Sequence, residues 1–344
     1  MLTSPPTAMK NIPLDIVDIS EINKPTALAL LEAAKTQGFL FVKGHSFSKD
    51  ELDTTFKLAE SFFKLPYEYK SKHEIDEFNH GYTASGMETL DPGTSKKGDP
   101  KEAFNIGGFD FVSGETKKHL PDWFDQDPSR RRHISTLAKK MYATTLRLLK
   151  LLAIALEIEP EDSVDGSKWF ESRYDASQES GSTLRFLHYP SPNDDSPEVK
   201  IRAGAHTDYG SMTLLFQQEN QEGLEIYSPV TKKWEAVPFV GSDNEAEGAP
   251  IIVNIGDQLS FWTAGLLKST IHRVKFPEGT RNKDRYSVVF FSHPNDATEL
   301  CPVPSPIIRA RNGRGPQKAG KVLTAREHLD HRLAVAYGKA VEST

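Results

Sequence analysis

Two His-x-Asp triplets could contribute ligands to a metal ion, His206-Thr207-Asp208 and His328-Leu329-Asp330. Residues two apart in a β-strand point to the same side, whereas in a helix they lie about 200° apart. The first triplet opens a β-rich half of the chain, and the second follows a capping box that predicts a helix. We therefore expect His206 and Asp208 to converge on one ion, and His328 and Asp330 to be surface polar residues.

His272 offers a third ligand, because it lies in a strand-like run over residues 269–274. Two imidazoles and one carboxylate on one face of a metal leave three positions open, an arrangement that suits non-haem Fe(II) in oxygen chemistry. A histidine of this kind standing alone is more often a hydrogen-bonded core residue. Because His272 occurs together with His206 and Asp208, we favour its role as a metal ligand.

Arg285 and Ser287 are also two residues apart on a strand-like run, so they share a face. A guanidinium binds a carboxylate through two parallel hydrogen bonds, and a neighbouring hydroxyl can add another. The pair could hold an acidic cosubstrate. The alternative is an arginine paired with a structural Asp or Glu.

The elements that position these residues follow from hydrophobic periodicity and turn signals. A strand is expected near 12–19 and another at 39–42, and the stretch 74–128 is expected to form long loops with short strands. Helices are predicted over 24–36, from the capping box at Ser48 to Pro66, over 129–158, and from Thr324 onward. Between them the pattern predicts an antiparallel sandwich or barrel with strands at 183–189, 211–216, 223–227, 251–255, 269–276 and 285–291.

Composition excludes several classes of protein. The 344 residues are 37% hydrophobic and carry a formal charge of −6, which disfavours nucleic acid and anionic membrane surfaces as partners. No apolar run is long enough to span a bilayer. The single cysteine, Cys301, and an N-terminus without a secretion signal predict a cytoplasmic location. The sequence favours no particular oligomeric state.

The residues discussed so far belong to longer motifs, which occur in a fixed order with two others near the start of the chain. These motifs are His206-Thr207-Asp208-Tyr209-Gly210-Ser211, Asn254-Ile255-Gly256-Asp257, Lys268-Ser269-Thr270-Ile271-His272-Arg273-Val274, Arg285-Tyr286-Ser287, Gly38-Phe39-Leu40-Phe41-Val42 and Phe62-Phe63-Lys64-Leu65-Pro66. Together they resemble the Fe(II)/2-oxoglutarate-dependent oxygenases related to isopenicillin N synthase. The resemblance covers nearly the whole chain, and the segments 184–190 and 202–217 look closest to fungal members of the thymine dioxygenase type.

The resemblance implies an α+β fold whose core is a double-stranded β-helix, or jelly roll, with flanking helices. It divides the chain into an N-terminal α/β region (1–125), a helical connector packed on the core (126–180), the jelly-roll catalytic core (181–295) and a C-terminal extension with a helix (296–344).

The resemblance also implies the site and the reaction. His206, Asp208 and His272 would bind Fe(II), Arg285 and Ser287 would bind the 5-carboxylate of 2-oxoglutarate, and Tyr189 would donate a hydrogen bond to that cosubstrate. The implied enzyme is a dioxygenase that uses O2 to hydroxylate or desaturate a small-molecule substrate and releases succinate and CO2.

Two alternatives stay open at this point. An iron oxidase of the isopenicillin N synthase kind uses no 2-oxoglutarate, and Leu187 stands where many plant members have an asparagine, which keeps this alternative open. A sandwich domain that only binds a partner is disfavoured, because all three ligands and Arg285 are present.

Four residues are candidates for substrate contact. Arg185 shares a strand face with Tyr189 and could anchor a substrate carboxylate or carbonyl, although an arginine paired within the sandwich is at least as plausible. Phe291 shares a face with Arg285 and Ser287. Tyr82 and Phe104, with Phe109, could line the pocket mouth if the 74–128 loop is a lid, or could simply pack beneath that loop.

Overall fold

The structure is a computed structural model that describes residues 14–91, 98–191, 201–244, 246–276, 283–311 and 322–336. Side chains stabilise the starts of several helices, as in the capping box formed by Ser48 and Glu51. The predicted helix at 24–36 is confirmed to the residue, with Asn23 as its N-cap. The helices are α1 (Lys24–Thr36), α2 (Lys49–Phe63), α3 (Tyr67–Lys70), α4 (Asp122–Asp125), α5 (Pro128–Ala155), α6 (Asp257–Trp262), α7 (Pro306–Arg309) and α8 (Ala325–Ala336).

Twelve strands are found in the described part of the chain. They are β1 (Ile16–Asp18), β2 (Phe39–Lys43), β3 (Gly81–Thr83), β4 (Glu102–Ile106), β5 (Thr183–Tyr189), β6 (Ile201–His206), β7 (Met212–Gln217), β8 (Leu224–Tyr227), β9 (Trp234–Ala236), β10 (Ile251–Ile255), β11 (His272–Lys275) and β12 (Arg285–Ser292).

The strands form two sheets. The larger has the order β1-β2-β10-β7-β12-β5-β4-β3 and the smaller has the order β6-β11-β8-β9. Every pairing is antiparallel except that of β1 with β2. The mixed helices and two sheets confirm the predicted α+β fold with a jelly-roll core.

Strand parity separates the two faces of the larger sheet. On β12, Val288 and Phe290 belong to the cluster of buried apolar side chains formed with α1, α2 and α5. Val289 belongs instead to a second cluster that includes Ala203 and Val274 of the smaller sheet. Helices therefore cover one face, and the other face looks onto the smaller sheet.

Two strands were not predicted, β6 and β9. β6 has the sequence IRAGAH, which lacks a run of large apolar residues, and β9 is three residues long. The 74–128 stretch does contain the two short strands β3 and β4, but these extend the larger sheet. No helix in the described ranges is both long and apolar enough to cross a membrane.

Phe62 on α2 is expected to be a major contributor to stability. Its ring is fully buried and lies 4.4 Å from the ring of Phe104 and 5.7 Å from that of Phe124, centroid to centroid. Phe62→Ala should lower the free energy of unfolding by about 3–5 kcal/mol, because it leaves a cavity. Urea denaturation measures the loss. The control Leu28→Ala on α1, at a side chain 48% exposed, should change it by less than about 0.5 kcal/mol, and equal losses would contradict the assignment.

Candidate metal centre and active site

The two sheets meet at a cluster of three ligating side chains. His206 ends β6 and His272 begins β11, and the two residues are direct partners in the antiparallel pairing of those strands. Their rings lie 4.3 Å apart, centroid to centroid. Asp208 follows β6, and one ligand atom from each of the three residues falls within 4.8 Å of the others. The structure thus brings together the three predicted ligands.

Hydrogen bonds fix the orientation of each ligand. Nδ1 of His206 donates to the carbonyl of Gly204 (2.8 Å), and Nδ1 of His272 donates to the carbonyl of Thr270 (3.1 Å). Both Nε2 atoms consequently face Asp208 Oδ1, at 3.8 and 3.6 Å. This outer hydrogen bond sets the tautomer that leaves Nε2 able to bind a metal.

The second oxygen of Asp208 is held by two donors. Thr213 Oγ1 donates to Oδ2 at 2.6 Å and Asn254 Nδ2 donates to it at 2.7 Å. Oδ1 is therefore left for an ion. Burial, together with the neighbouring His272, lowers the pKa of His206 well below its usual range, so its imidazole is neutral at physiological pH. Neutral nitrogen and carboxylate donors in this number fit Fe(II).

The backbone of the segment 256–257 also lies close to the backbone that carries Asp208 and Gly210. The amide of Asp257 donates to the carbonyl of Asp208 at 2.7 Å. Gly256 makes this contact possible, because a Cβ there would lie 2.2 Å from the carbonyl oxygen of Gly210. The motif at 254–257 thus contributes both a side-chain donor and a backbone donor.

Arg285 and Ser287 lie on β12, on the face that looks toward the smaller sheet. Both are buried, at 2% and 0% exposure. The terminal nitrogens Nη1 and Nη2 of Arg285 and Oγ of Ser287 have no hydrogen-bond partner among the described residues. Tyr189 is directly opposite Arg285 in the β5–β12 pairing, with its ring centroid 5.0 Å from the guanidinium carbon. Buried donors without partners are costly, so this group fits an anionic ligand.

A cavity of about 670 Å³ opens beside these residues. Its size lies within the range of about 300–1,000 Å³ that is usual for small-molecule sites. His206, Asp208, Tyr189 and Phe291 contribute to its wall. Helix α8 contributes Leu329. The cavity therefore connects the metal ligands with space for a further molecule.

A buried group of charged side chains forms another part of the wall. Arg185 donates to Glu88 at 2.7 Å, and Lys101 contacts both Glu88 at 3.0 Å and Asp99 at 2.9 Å. Burial would raise the pKa of Glu88, but Arg185 and Lys101 outweigh it and hold that pKa well below its usual range. The two acids and two bases therefore balance one another. The sequence did not indicate Glu88, because its partner Arg185 lies 97 residues away in the chain.

The four candidate substrate residues do not all reach the cavity. Arg185 and Phe291 line it, as does Phe109. Tyr82 and Phe104 do not; they lie in the apolar core beneath, where the hydroxyl of Tyr82 donates to Glu102. Strand pairing of β3 with β4 and of β4 with β5 turns these two rings toward the helices.

The second His-x-Asp triplet lies within α8, and the described residues form no cluster of three ligating groups there. Asp330 is exposed, as predicted, but the expectation for His328 was wrong. Its ring is half-buried, 6.1 Å from that of Phe261. Helix α8 also contacts the residues around Asp208. Arg332 pairs with Asp257 at 2.7 Å and donates to Thr207 at 3.3 Å.

Comparison with known proteins agrees with this geometry. Residues 180–294 match the model of the 2OG-Fe(II) oxygenase superfamily, and residues 14–126 match the N-terminal model of non-haem dioxygenases in morphine synthesis. A 2-oxoglutarate-dependent dioxygenase of Gibberella zeae is 31% identical over 79% of this chain and 75% of its own length. The chain belongs to the 2OG-Fe(II) oxygenase superfamily.

Solved structures of this superfamily share the fold over nearly the full length. Neurospora crassa thymine-7-hydroxylase, in complex with 2-oxoglutarate and thymine, superposes with a TM-score of 0.75 at 26% identity and covers 96% of this chain and 98% of its own. A UPF0676 protein of Schizosaccharomyces pombe is 34% identical over 96% of this chain and 94% of its own length. The prediction of an Fe(II)- and 2-oxoglutarate-dependent dioxygenase is confirmed over the cosubstrate-free oxidase.

The hydroxyl of Thr213 is expected to tune metal affinity. Thr213→Val keeps the shape but removes one of two donors to Asp208 Oδ2, so the dissociation constant for Fe(II) should rise about tenfold or more. Anaerobic metal titration measures it. Thr145→Val is the matched control, because that buried hydroxyl donates to a carbonyl within α5. An unchanged constant in Thr213→Val would contradict the role.

Proposed function

We propose that His206, Asp208 and His272 hold Fe(II), and that Arg285, Ser287 and Tyr189 bind 2-oxoglutarate. The observation that carries this proposal is the pair of unsatisfied groups at Arg285 and Ser287, buried on the strand beside the metal cluster. A dicarboxylate supplies the acceptor oxygens that both side chains lack.

When iron is bound, it supplies the oxidising chemistry that couples decarboxylation of 2-oxoglutarate to attack on a substrate C–H bond. The protein's own residues do the positioning. Arg285 is fixed by Nε donating to the carbonyl of Gln221 at 2.9 Å, which points its two free nitrogens at the cosubstrate.

Removing the guanidinium should abolish tight cosubstrate binding. Anaerobic titration of the Fe(II)-loaded protein with 2-oxoglutarate should produce a visible charge-transfer band. In Arg285→Ala the dissociation constant should rise by ~100-fold or more, since a buried charged partner is lost. Arg309→Ala, at an exposed arginine paired with Glu159, should leave it unchanged. No band in the wild type, or an unchanged constant in Arg285→Ala, would contradict the proposal.

For the substrate, we propose a small, uncharged, polar molecule. Glu88, Arg185 and Lys101 line the cavity. Together with Asp99, which pairs with Lys101, they form a charged group that is already balanced, so it needs no counter-ion from a ligand. It can still offer hydrogen bonds to carbonyl and amide groups. Phe291, also at the cavity wall, offers an aromatic surface.

A pyrimidine base has this chemistry, being flat, neutral and rich in amide groups. The related Neurospora structure contains thymine, which supports the same class of substrate for this chain. We also propose that the enzyme is cytoplasmic, since its single cysteine gives no intramolecular disulfide.

Thymine should stimulate succinate formation from 2-oxoglutarate by about tenfold or more, and 5-methylorotate, the same ring with a carboxylate added, should not. The reason is that a balanced wall cannot compensate the extra charge. Glu88→Gln, which leaves a positive excess, should shift the preference toward the acid. Succinate assays measure both. Equal stimulation by the two compounds would contradict the charge argument, and stimulation by neither would reject the pyrimidine assignment.

A further inference from the structure

A second buried arginine, Arg202 on β6, lies next to the cosubstrate residues. It is 2% exposed, and its guanidinium carbon lies 3.4 Å from the ring centroid of Phe276. Nη1 donates to the carbonyl of Tyr189 at 3.2 Å and Nη2 to that of Lys283 at 3.1 Å. Tyr189 ends β5, and Lys283 lies two residues before Arg285. Arg202 therefore links the smaller sheet to the ends of the two strands that carry the cosubstrate residues.

Arg202 and Arg285 are two buried cations without a close counter-charge. Among the described residues, neither guanidinium has a carboxylate oxygen within 4.0 Å. Within the described part of the chain, Nε of Arg202 has no hydrogen-bond partner. Burial, followed by repulsion from Arg285, lowers the pKa of Arg202 to about 10, so both side chains are charged at neutral pH. Two like charges in a dry interior are costly unless an anion lies nearby.

Two acidic groups act on these arginines at longer range, Glu222 on Arg285 and Asp284 on Arg202, but neither forms an ion pair with them among the described residues. Asp284 accepts from the amide of Ser191 at 2.8 Å and contacts His188 at 3.0 Å. The region behind Tyr189, a residue of the cavity wall, therefore differs from the balanced group at Glu88. An excess of positive charge remains where the second carboxylate of 2-oxoglutarate is proposed to bind.

We propose that Arg202 is a positioning residue for 2-oxoglutarate. It acts in two ways: its charge adds to that of Arg285 at the 5-carboxylate, and its hydrogen bonds fix the backbones of Tyr189 and Lys283. A neutral donor could supply the two hydrogen bonds, but it could not supply the positive electrostatic potential at the 5-carboxylate. The inference rests on the proposed roles of Arg285 and Ser287.

The test compares Arg202→Met, which removes the charge at similar length, with Arg202→Lys, which keeps it. Each Fe(II)-loaded variant is titrated anaerobically with 2-oxoglutarate, and the charge-transfer band gives the dissociation constant. We expect a rise of about tenfold in Arg202→Met, equivalent to about 1.4 kcal/mol, and of no more than about threefold in Arg202→Lys.

Two controls separate this role from a general loss of structure. 2-Oxopentanoate has the same keto acid end and chain length but no 5-carboxylate, so its dissociation constant should stay within about twofold in Arg202→Met. Arg173→Met alters another arginine that stacks on an aromatic ring, 3.5 Å from Trp169, and donates to a backbone carbonyl at 2.7 Å. It should leave 2-oxoglutarate binding unchanged.

Three outcomes would overturn the inference: an unchanged constant for 2-oxoglutarate in Arg202→Met, equal losses for both ligands, or an equal loss in Arg202→Lys. The last two results would mean that Arg202 contributes only to the local structure and not, through its charge, to binding of the 5-carboxylate. Failure of the underlying assignment looks different, because the wild-type protein would then give no charge-transfer band with 2-oxoglutarate.

Discussion

The pairing of β6 with β11 places His206 opposite His272, and the geometry of the site depends on this register. A shift of one residue would turn an imidazole to the other side of the sheet. Asp208 can complete the cluster only because the loop after β6 folds back onto the 254–257 segment, where Asn254 and the amide of Asp257 hold it. The rest of the fold keeps these two strands in place while the larger sheet presents Arg285 from the opposite side.

Charge is distributed unequally within the cavity. At one part of the wall, Glu88 and its neighbours neutralise one another, and a ligand there gains hydrogen bonds without having to bring a counter-ion. Beside Tyr189, which lines another part of the cavity, the buried Arg285 and Arg202 have no ion-pair partner among the described residues. On the proposed assignment of the site, a dianion and a neutral molecule would therefore bind at neighbouring places without competing, as a two-substrate oxidation requires.

Much of this could be predicted from the sequence, where local rules apply. Strand parity correctly grouped Arg185 with Tyr189, which both line the cavity, and the capping box correctly placed the second His-x-Asp triplet in a helix. The predictions that failed depended on contacts between residues that are distant in the chain. Tyr82 and Phe104 were placed by loop length, but strand pairing turned them into the core. Glu88 became part of the site through an ion pair with Arg185 that no local pattern indicates.

The position of the early strands in the larger sheet has a consequence for folding. β1 and β2 form one edge and β3 and β4 the other, with the strands of the jelly roll between them. β2 is synthesised roughly two hundred residues before its partner β10, with which Val42 pairs at Ile251. Pairing over such a separation is slow, because a large loop must close first. The two edge pairs, β1 with β2 and β3 with β4, are thus synthesised first on the ribosome. The inner sides of β2 and β4 have no strand partner until β10 and β5 are made, and during that interval they can pair with other chains.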